Sequence, residues 1–164
     1  MPVEVRPASF ADAGGRRHVT DVVAKERRTF AVVEAQSVED MERSYRESIV
    51  EMRKPFFVAC EGERVIGYCE IDPSQEPAHR HVGWLDVAIL PEYRGRGIGR
   101  QLVSAGIVGA RDFGLELLSL ATFSDNIRAI RLYESLGFRR DGLRRNTWKL
   151  DGRYQDTVLM TRVL

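Results

Sequence analysis

Short apolar runs separated by turn residues predict seven strands along this chain. They are Val3 to Ala8, Phe56 to Cys60, Val65 to Asp72, His81 to Leu90, Leu117 to Phe123 and two strands on either side of Asp151-Gly152. The segment Glu61-Gly62-Glu63-Arg64 predicts a tight turn, which makes the second and third runs antiparallel neighbours. A helical segment joins the fourth run to the fifth, so we expect these two strands to be parallel.

Helical periodicity marks two segments in the first half of the chain. The first runs from Phe10 to about Arg28, but Gly14-Gly15 predicts that it is broken, since each glycine costs about 1 kcal/mol against alanine in a helix interior. Ser37 is predicted to cap the second helix, whose buried stripe would be Val38, Met41, Tyr45, Ile49 and Met52. The residues between them, Thr29 to Gln36, are either part of a substrate mouth or a plain connection between two packed helices.

Two further helices are predicted in the second half. One begins near Ile98, and its apolar positions recur at Ile98, Leu102, Ala105, Gly109 and Phe113. A shorter one follows Ser124 or Asp125, either of which can cap it, and ends at Gly137. The shared face of this shorter helix would consist of Ala129, Leu132, Tyr133 and Leu136.

The stretch from Leu85 to Gly114 combines a buried strand, a loop rich in arginine and glycine, and a helix. Glycines can turn successive backbone N–H groups toward one point, and the first amides of a helix have no internal partner. The loop glycines are Gly95, Gly97 and Gly99, and the flanking charges are Arg94, Arg96 and Arg100. Main-chain donors and guanidinium groups in one loop favour an anion, so the pattern predicts a diphosphate site.

Two better-known phosphate loops do not fit this segment. The nucleotide P-loop ends in Gly-Lys-Ser/Thr, and no such tripeptide follows Gly99. The dinucleotide fingerprint needs Gly-x-Gly-x-x-Gly and a later acidic residue, whereas the glycines here are spaced more tightly and the strand near Leu120 ends without an acid. The loop therefore indicates a diphosphate of another kind.

Composition narrows the choice of partners. The 164 residues carry 25 Lys and Arg against 24 Asp and Glu, and 43% of them are hydrophobic, which suits one domain spanning residues 1–164. A net charge of +1 gives no global attraction to nucleic acid or membrane. With no transmembrane run and no secretory signal, we expect a cytoplasmic protein. Cys60 and Cys69 are expected in the core, since a metal site would need more ligands.

Two motifs resemble those of the GNAT superfamily of acyl-CoA N-acyltransferases. Motif A, Gln/Arg-x-x-Gly-x-Gly/Ala, is matched by Arg94, Gly97 and Gly99. Motif B, Asn-x-x-Ala-x-x-Leu-Tyr-x-x-x-Gly-Phe, is matched from Asn126 to Phe138. The resemblance implies a mixed α/β fold, with a mostly antiparallel central sheet in which two parallel strands splay apart between flanking helices. It also implies acetyl-CoA as the cofactor.

The resemblance also implies roles for individual residues. A backbone N–H among Val87, Ala88 and Ile89 would hold the thioester oxygen, and Tyr133 would be the general acid, although helical periodicity alone would make it a core tyrosine. The cofactor would contact Asn126, unless that residue is a simple helix cap, and also Ala129. The pyrophosphate would be held by Arg94, Gly95, Arg96, Gly97, Ile98, Gly99 and Arg100.

The general base is less well marked, because the carboxylate usual in the family is absent from Gly83-Trp84-Leu85-Asp86. Asp86 and Glu70 are the preferred candidates, His79 and His81 lie nearby in sequence, and a water chain to a distant carboxylate is equally open. Each of these four side chains also has a plain surface or strand-pair interpretation.

By resemblance, the function is transfer of an acetyl group from acetyl-CoA to a primary amine of a small molecule, such as an amino acid or a polyamine. The alternatives are a non-catalytic acyl-CoA sensor and a protein N-terminal acetyltransferase. Five arginines of the last third either steer an acidic acceptor or form a solvated face: Arg139, Arg140, Arg144, Arg145 and Arg153. The final segment VLMTRVL is expected to be an edge strand that pairs or packs with a second subunit, giving a homodimer.

Overall fold

A computed structural model describes residues 2–26, 37–51 and 54–164. The strands are β1 (Val3–Pro7), β2 (Phe56–Glu61), β3 (Arg64–Pro73), β4 (Val82–Ile89), β5 (Leu117–Phe123), β6 (Arg139–Leu150) and β7 (Arg153–Val163). The α-helices are α1 (Ala13–Lys25), α2 (Val38–Arg46), α3 (Ile98–Phe113) and α4 (Ile127–Ser135). Short 3₁₀ turns precede α1, β4 and the loop that leads into α3, and a π-type turn continues α2.

The strands form one seven-stranded sheet in the order β1-β2-β3-β4-β5-β7-β6. Within the described residues, β4 and β5 are the parallel pair, and every other neighbouring pair is antiparallel. Gly62, with a φ of 60°, forms the tight turn between β2 and β3. These findings confirm the predicted mixed sheet and its single parallel pair.

The parallel pair separates soon after it begins. Its ladder contains Val82↔Leu117, Gly83↔Leu118 and Trp84↔Ser119. Beyond these residues β4 stays paired with β3 as far as Ile89, while β5 stays paired with β7 as far as Phe123. The remaining halves of β4 and β5 therefore border a gap in the middle of the sheet, at the carboxyl ends of two parallel strands.

The predicted break in the first helix is wrong. α1 runs through Gly14 and Gly15 without interruption. A Cβ at Gly15 would lie 2.7 Å from the Val65 side chain, so this glycine allows α1 to pack closely against β3. The low helix propensity of glycine is outweighed here by tertiary packing.

Two predicted helix faces also need correction. In α2, Val38 is 53% exposed because it lies in the first turn, while Met41 and Tyr45 are buried. Met52 of the predicted stripe and the predicted connection Thr29 to Gln36 lie outside the described residues. In α3, Phe113 is 42% exposed. The face of α3 that packs on the sheet is one step round the helix from the predicted one and consists of Ile98, Leu102, Val103, Gly106, Ile107 and Ala110.

The C-terminal segment VLMTRVL is not an edge strand. It belongs to β7, which lies between β5 and β6 and pairs with both. The last strand before it, β6, forms the edge, because the hairpin folds back and inserts its second strand beside β5. The homodimer stays a prediction, but the segment VLMTRVL does not supply the edge strand on which that prediction relied. Cys60 and Cys69 are buried, as predicted, and no helix in the described ranges has both the length and the apolar character needed to cross a bilayer.

Candidate functional site

The gap between β4 and β5 opens into a cavity of about 890 Å³. Its walls come from the second half of β4, the end of β5, the loop before α3, the beginning of α3, one side of α4 and the β6–β7 hairpin. Val23 of α1 also reaches the wall. Ligand sites commonly occupy such clefts at strand ends, and the volume is in the range of small-molecule sites.

The glycine loop gives one end of this cavity its polar character. Gly95 and Gly97 have positive φ angles of 83° and 79°, and Gly97 is the N-cap of α3. No side chain caps this helix. Because the first amides of an α-helix lack internal acceptors, those at the start of α3 stay available to a ligand. Gly97, Gly99 and Arg100 all line the cavity.

Arginines of the loop are held in different ways. Arg94 donates to both carboxylate oxygens of Glu26, at 3.0 and 2.7 Å, and its Nε donates to the Ile89 carbonyl at 3.0 Å. Arg100 donates to the Ser135 hydroxyl at 2.8 Å. The guanidinium of Arg96 lies over a tyrosine ring outside the cavity wall. Arg94 therefore ties the loop to α1 and β4, which the motif alone did not indicate.

Arg128 of α4 is a site residue that the sequence analysis missed. A Cβ at Gly95 would lie 2.5 Å from its guanidinium, so this cation lies directly against the loop. Arg128 also lines the cavity. Its place at a variable position of motif B gave no signal, because only the folded chain brings the start of α4 against the loop.

Backbone groups of β4 are available in the gap. The Leu90 amide donates to the Ile66 carbonyl at 2.9 Å, which fixes the alternation of β4 residues bonded to β3. By that alternation the Ala88 amide is directed to β3, whereas those of Val87 and Ile89 are directed into the gap. Of the three residues predicted to hold a thioester oxygen, two thus have amides free to do so.

Asp86 is the carboxylate of the described cavity wall. It lies directly opposite Glu70 in the β3–β4 ladder, and the Tyr68 hydroxyl donates to it at 3.1 Å. Burial raises the pKa of Asp86 from its ordinary value of 3.8 to about 6, and the negative charge of Glu70 adds to the rise. Such a carboxylate is half protonated near pH 6, close to where a general base should titrate.

Glu70, the other preferred base, is buried and occupied. One of its oxygens pairs with Arg16 at 3.1 Å, and the other pairs with Lys54 at 2.5 Å. The Arg16 guanidinium also lies over the Tyr68 ring, 4.8 Å from its centroid. The described cavity wall does not include Glu70, so the structure separates two carboxylates that the sequence left equivalent.

Tyr133 reaches the cavity from α4. Its side chain is buried against Phe138, with ring centroids 5.8 Å apart, yet it forms part of the wall. Burial raises the pKa of the Tyr133 hydroxyl well above its usual range, and the charge of Asp86 adds to this rise. The hydroxyl therefore keeps its proton at neutral pH and can donate it.

The remaining candidates take different places. Asn126, not Ser124 or Asp125, caps α4, since its side-chain oxygen accepts from the Ala129 amide at 3.3 Å. Asn126 and Ala129 also line the cavity, so both residues are in a position to make their predicted contact with a cofactor. His79 and His81 are exposed beside each other, with ring centroids 6.2 Å apart, outside the described cavity wall.

Comparison with known proteins gives this arrangement a family. Residues 20–138 match the acetyltransferase (GNAT) family. The mycothiol acetyltransferase of Thermobispora bispora is 33% identical over 122 residues, which are 73% of this chain and 39% of that protein. The L-amino acid N-acetyltransferase AaaT of Escherichia coli K12 is 29% identical over 107 residues, which are 65% of this chain and 66% of that protein.

A solved structure agrees over the whole fold. The phosphinothricin acetyltransferase of Sinorhizobium meliloti in complex with acetyl-CoA is 27% identical, with a TM-score of 0.87 over 100% of this chain and 89% of that one. A splayed parallel pair beside an uncapped, glycine-led helix is an arrangement that suits an extended diphosphate ligand. This chain belongs to the acetyltransferase (GNAT) family, which confirms the family predicted from its two motifs. The chain spans only 39% and 66% of the two curated relatives.

Proposed function

We propose that this chain transfers the acetyl group of acetyl-CoA to a primary amine of a small molecule, by direct attack in a ternary complex. The observation that carries the proposal is the pairing of two groups on one cavity wall. Asp86 has a pKa of about 6, and Tyr133 keeps its proton. A base and an acid beside strand amides that are free to bind an oxygen are what amine acylation requires.

The residues present fit the cofactor. The uncapped start of α3 and the positive φ of Gly97 form a cradle with no heavy atom within 4 Å of the position where a Cβ would stand. Amides from Gly97 to Arg100 would hold the pyrophosphate, with Arg128 beside them as a cation. Arg94 would act differently from its motif expectation, because its guanidinium fixes the loop through Glu26.

The strand gap would hold the reactive end. When bound, acetyl-CoA supplies an acetyl thioester, whose carbonyl carbon is open to attack by an amine. The amides of Val87 and Ile89 would donate to the carbonyl oxygen, where negative charge develops. Tyr133 would donate its hydroxyl proton to the departing sulfur.

Asp86 would act as the base. An alkyl amine is mostly protonated at neutral pH and cannot attack until it loses a proton. Asp86, ionised above about pH 6, can pair with the arriving ammonium and accept that proton. Glu70 would then act through Asp86, since its charge helps to raise the Asp86 pKa while Arg16 and Lys54 hold it in place.

A small-molecule acceptor is supported by the names of the relatives. One acts on L-amino acids, another is named for mycothiol and a third for phosphinothricin. The organisation of residues 1–164 as a single domain, the homodimer and the cytoplasmic location stay predictions alongside this proposal.

A thiol-release assay with acetyl-CoA and a panel of primary amines tests the proposal. We expect turnover with at least one amine, and we expect Tyr133→Phe to reduce it at least 100-fold while acetyl-CoA binding is unchanged. The matched control is Tyr154→Phe, because Tyr154 is 61% exposed on β7 and should tolerate the same change. Tight acetyl-CoA binding without turnover of any amine would favour the sensor instead.

A further inference from the structure

Trp148 is a part of the cavity wall to which neither motif assigns a role. It lies on the edge strand β6 and is 44% exposed, and it lines the same cavity as Asp86 and Tyr133. The other tryptophan, Trp84 on β4, is also 44% exposed, but the described cavity wall does not include it. The chain thus contains two tryptophans of equal exposure, and only one of them faces the site.

An irregularity in β6 brings Trp148 to this position. Arg144 pairs with Thr157, and the next pair is Trp148 with Gln155, so three residues of β6 stand opposite Asp156 alone. A regular ladder continued from Arg144 would instead pair Trp148 with Arg153. That position is two residues nearer the start of β7, about 7 Å from the one Trp148 occupies. The bulge therefore draws the indole back toward Thr157, which is itself in the cavity wall.

The bulge is held by specific contacts. Asn146 has a φ of 53°, a left-handed conformation that asparagine tolerates better than most residues. Its amide donates to Oδ1 of Asp156 at 2.8 Å, and the hydroxyls of Thr147 and Thr157 lie 3.0 Å apart. Bulges next to sites commonly re-aim one side chain. Here the re-aimed side chain is an indole.

The distribution of charge on the cavity wall indicates which kind of acceptor group would contact the indole of Trp148. Among the described lining residues, the basic groups belong to the loop, to α3 and to α4, and Asp86 supplies the negative charge. The β6–β7 hairpin contributes only Trp148 and Thr157, both uncharged. The five arginines that could steer an acidic acceptor are exposed and lie outside the described wall: Arg139, Arg140, Arg144, Arg145 and Arg153.

We propose that Trp148 is a specificity-determining residue that selects amines carrying an aromatic or branched apolar group. That group packs on the indole while the ammonium of the same molecule meets Asp86. The inference rests on the proposed function, because it assumes that Asp86 receives the acceptor amine. Aromatic packing favours such acceptors, and the hairpin wall carries no charged side chain that would form an ion pair with a carboxylate or with a second ammonium group.

An NMR titration of ¹⁵N-labelled protein, followed through its two indole N–H resonances, tests the proposal without measuring turnover. Trp84→Phe and Trp148→Phe variants assign them, and phenethylamine is then added in the presence of CoA. We expect a saturable shift of the Trp148 resonance and no comparable shift of the Trp84 resonance. In Trp148→Ala the affinity for phenethylamine should fall about tenfold, or about 1.4 kcal/mol, whereas Trp148→Phe should keep it within about threefold.

Steady-state kinetics give the second readout. In Trp148→Ala, kcat/KM for phenethylamine should fall about tenfold through KM, while kcat/KM for propylamine changes less than about twofold. Equal losses for both amines, an unmoved Trp148 resonance, or a preference for glutamate or spermidine over phenethylamine would overturn the inference. Thiol release without a Trp148 shift would contradict the inference alone. A saturable Trp148 shift without thiol release from any amine would contradict the proposed transfer and retain the binding site.

Discussion

Replacement of Asp86 by asparagine should separate the function of this carboxylate from its effect on stability. The substitution keeps the shape of the side chain, and the amide oxygen can still accept from Tyr68. Burial and Glu70 raise the Asp86 pKa from 3.8 to about 6, a difference of about 2 units. At about 1.4 kcal/mol per unit, ionised Asp86 costs the folded state about 3 kcal/mol.

The sign of this effect follows from proton binding. Between about pH 4 and pH 6 the folded chain holds a proton on Asp86 that the unfolded chain has lost. The free energy of unfolding therefore falls as the pH rises through this window, and it stays lower above it. Asp86→Asn removes the titration, so at pH 7.5 the variant should be more stable than the wild type by about 3 kcal/mol, with little difference below pH 4.

Urea unfolding at pH 4, 5, 6 and 7.5, together with thiol release, checks both parts. Wild-type kcat/KM should rise with pH to a plateau with an apparent pKa near 6, and the variant should lose at least 100-fold in kcat/KM. Asp112→Asn, an exposed change of the same kind on α3, should alter neither quantity. An Asp86→Asn protein that turns over normally, or that is less stable than the wild type at pH 7.5, would refute the reasoning.

Three further substitutions, one of them with a matched control, test the cofactor-binding part of the site. Gly97→Ala and Gly114→Ala place the same side chain at opposite ends of α3, both at positive φ with open space around the Cβ, so each should lose roughly 1–2 kcal/mol in urea unfolding. Only Gly97→Ala should weaken acetyl-CoA binding, by about tenfold or more in calorimetry. Equal acetyl-CoA affinities of the two variants would count against the cradle. Tyr133→Phe should lower kcat with no change in acetyl-CoA affinity, and a selective rise in the acceptor KM would argue against its acid role. Glu26→Gln should weaken acetyl-CoA binding about threefold by loosening Arg94 but reduce stability by less than about 1 kcal/mol; an unchanged dissociation constant would show that the pair does not hold the loop.

Local sequence patterns were sufficient for most elements of the fold. The seven strands follow from apolar runs between turn residues, and the parallel pair follows from the helix that joins β4 to β5. The loop glycines required no tertiary information, because their spacing before α3 already indicated backbone donors. These features depend on residues that are close together in sequence.

The largest errors come from contacts between distant segments. Helix propensity alone predicts a break at Gly15, because Val65, the residue that needs its small size, is 50 positions away. The position of VLMTRVL at the end of the sequence predicts an edge strand, because nothing local shows that β7 inserts beside β5. The different surroundings of Asp86 and Glu70 likewise depend on the register of β3 and β4 and on the two cations that surround Glu70.

The central claim is that backbone amides at the start of α3 and in the strand gap hold acetyl-CoA. The most direct measurement is a titration of ¹⁵N-labelled protein with acetyl-CoA, followed through the amide resonances. We predict saturable shifts with one dissociation constant for Gly97, Gly99, Val87 and Ile89, with no comparable shift at Gly114. Saturable binding that left those four amides unmoved, or that moved residues elsewhere on the sheet instead, would contradict the account.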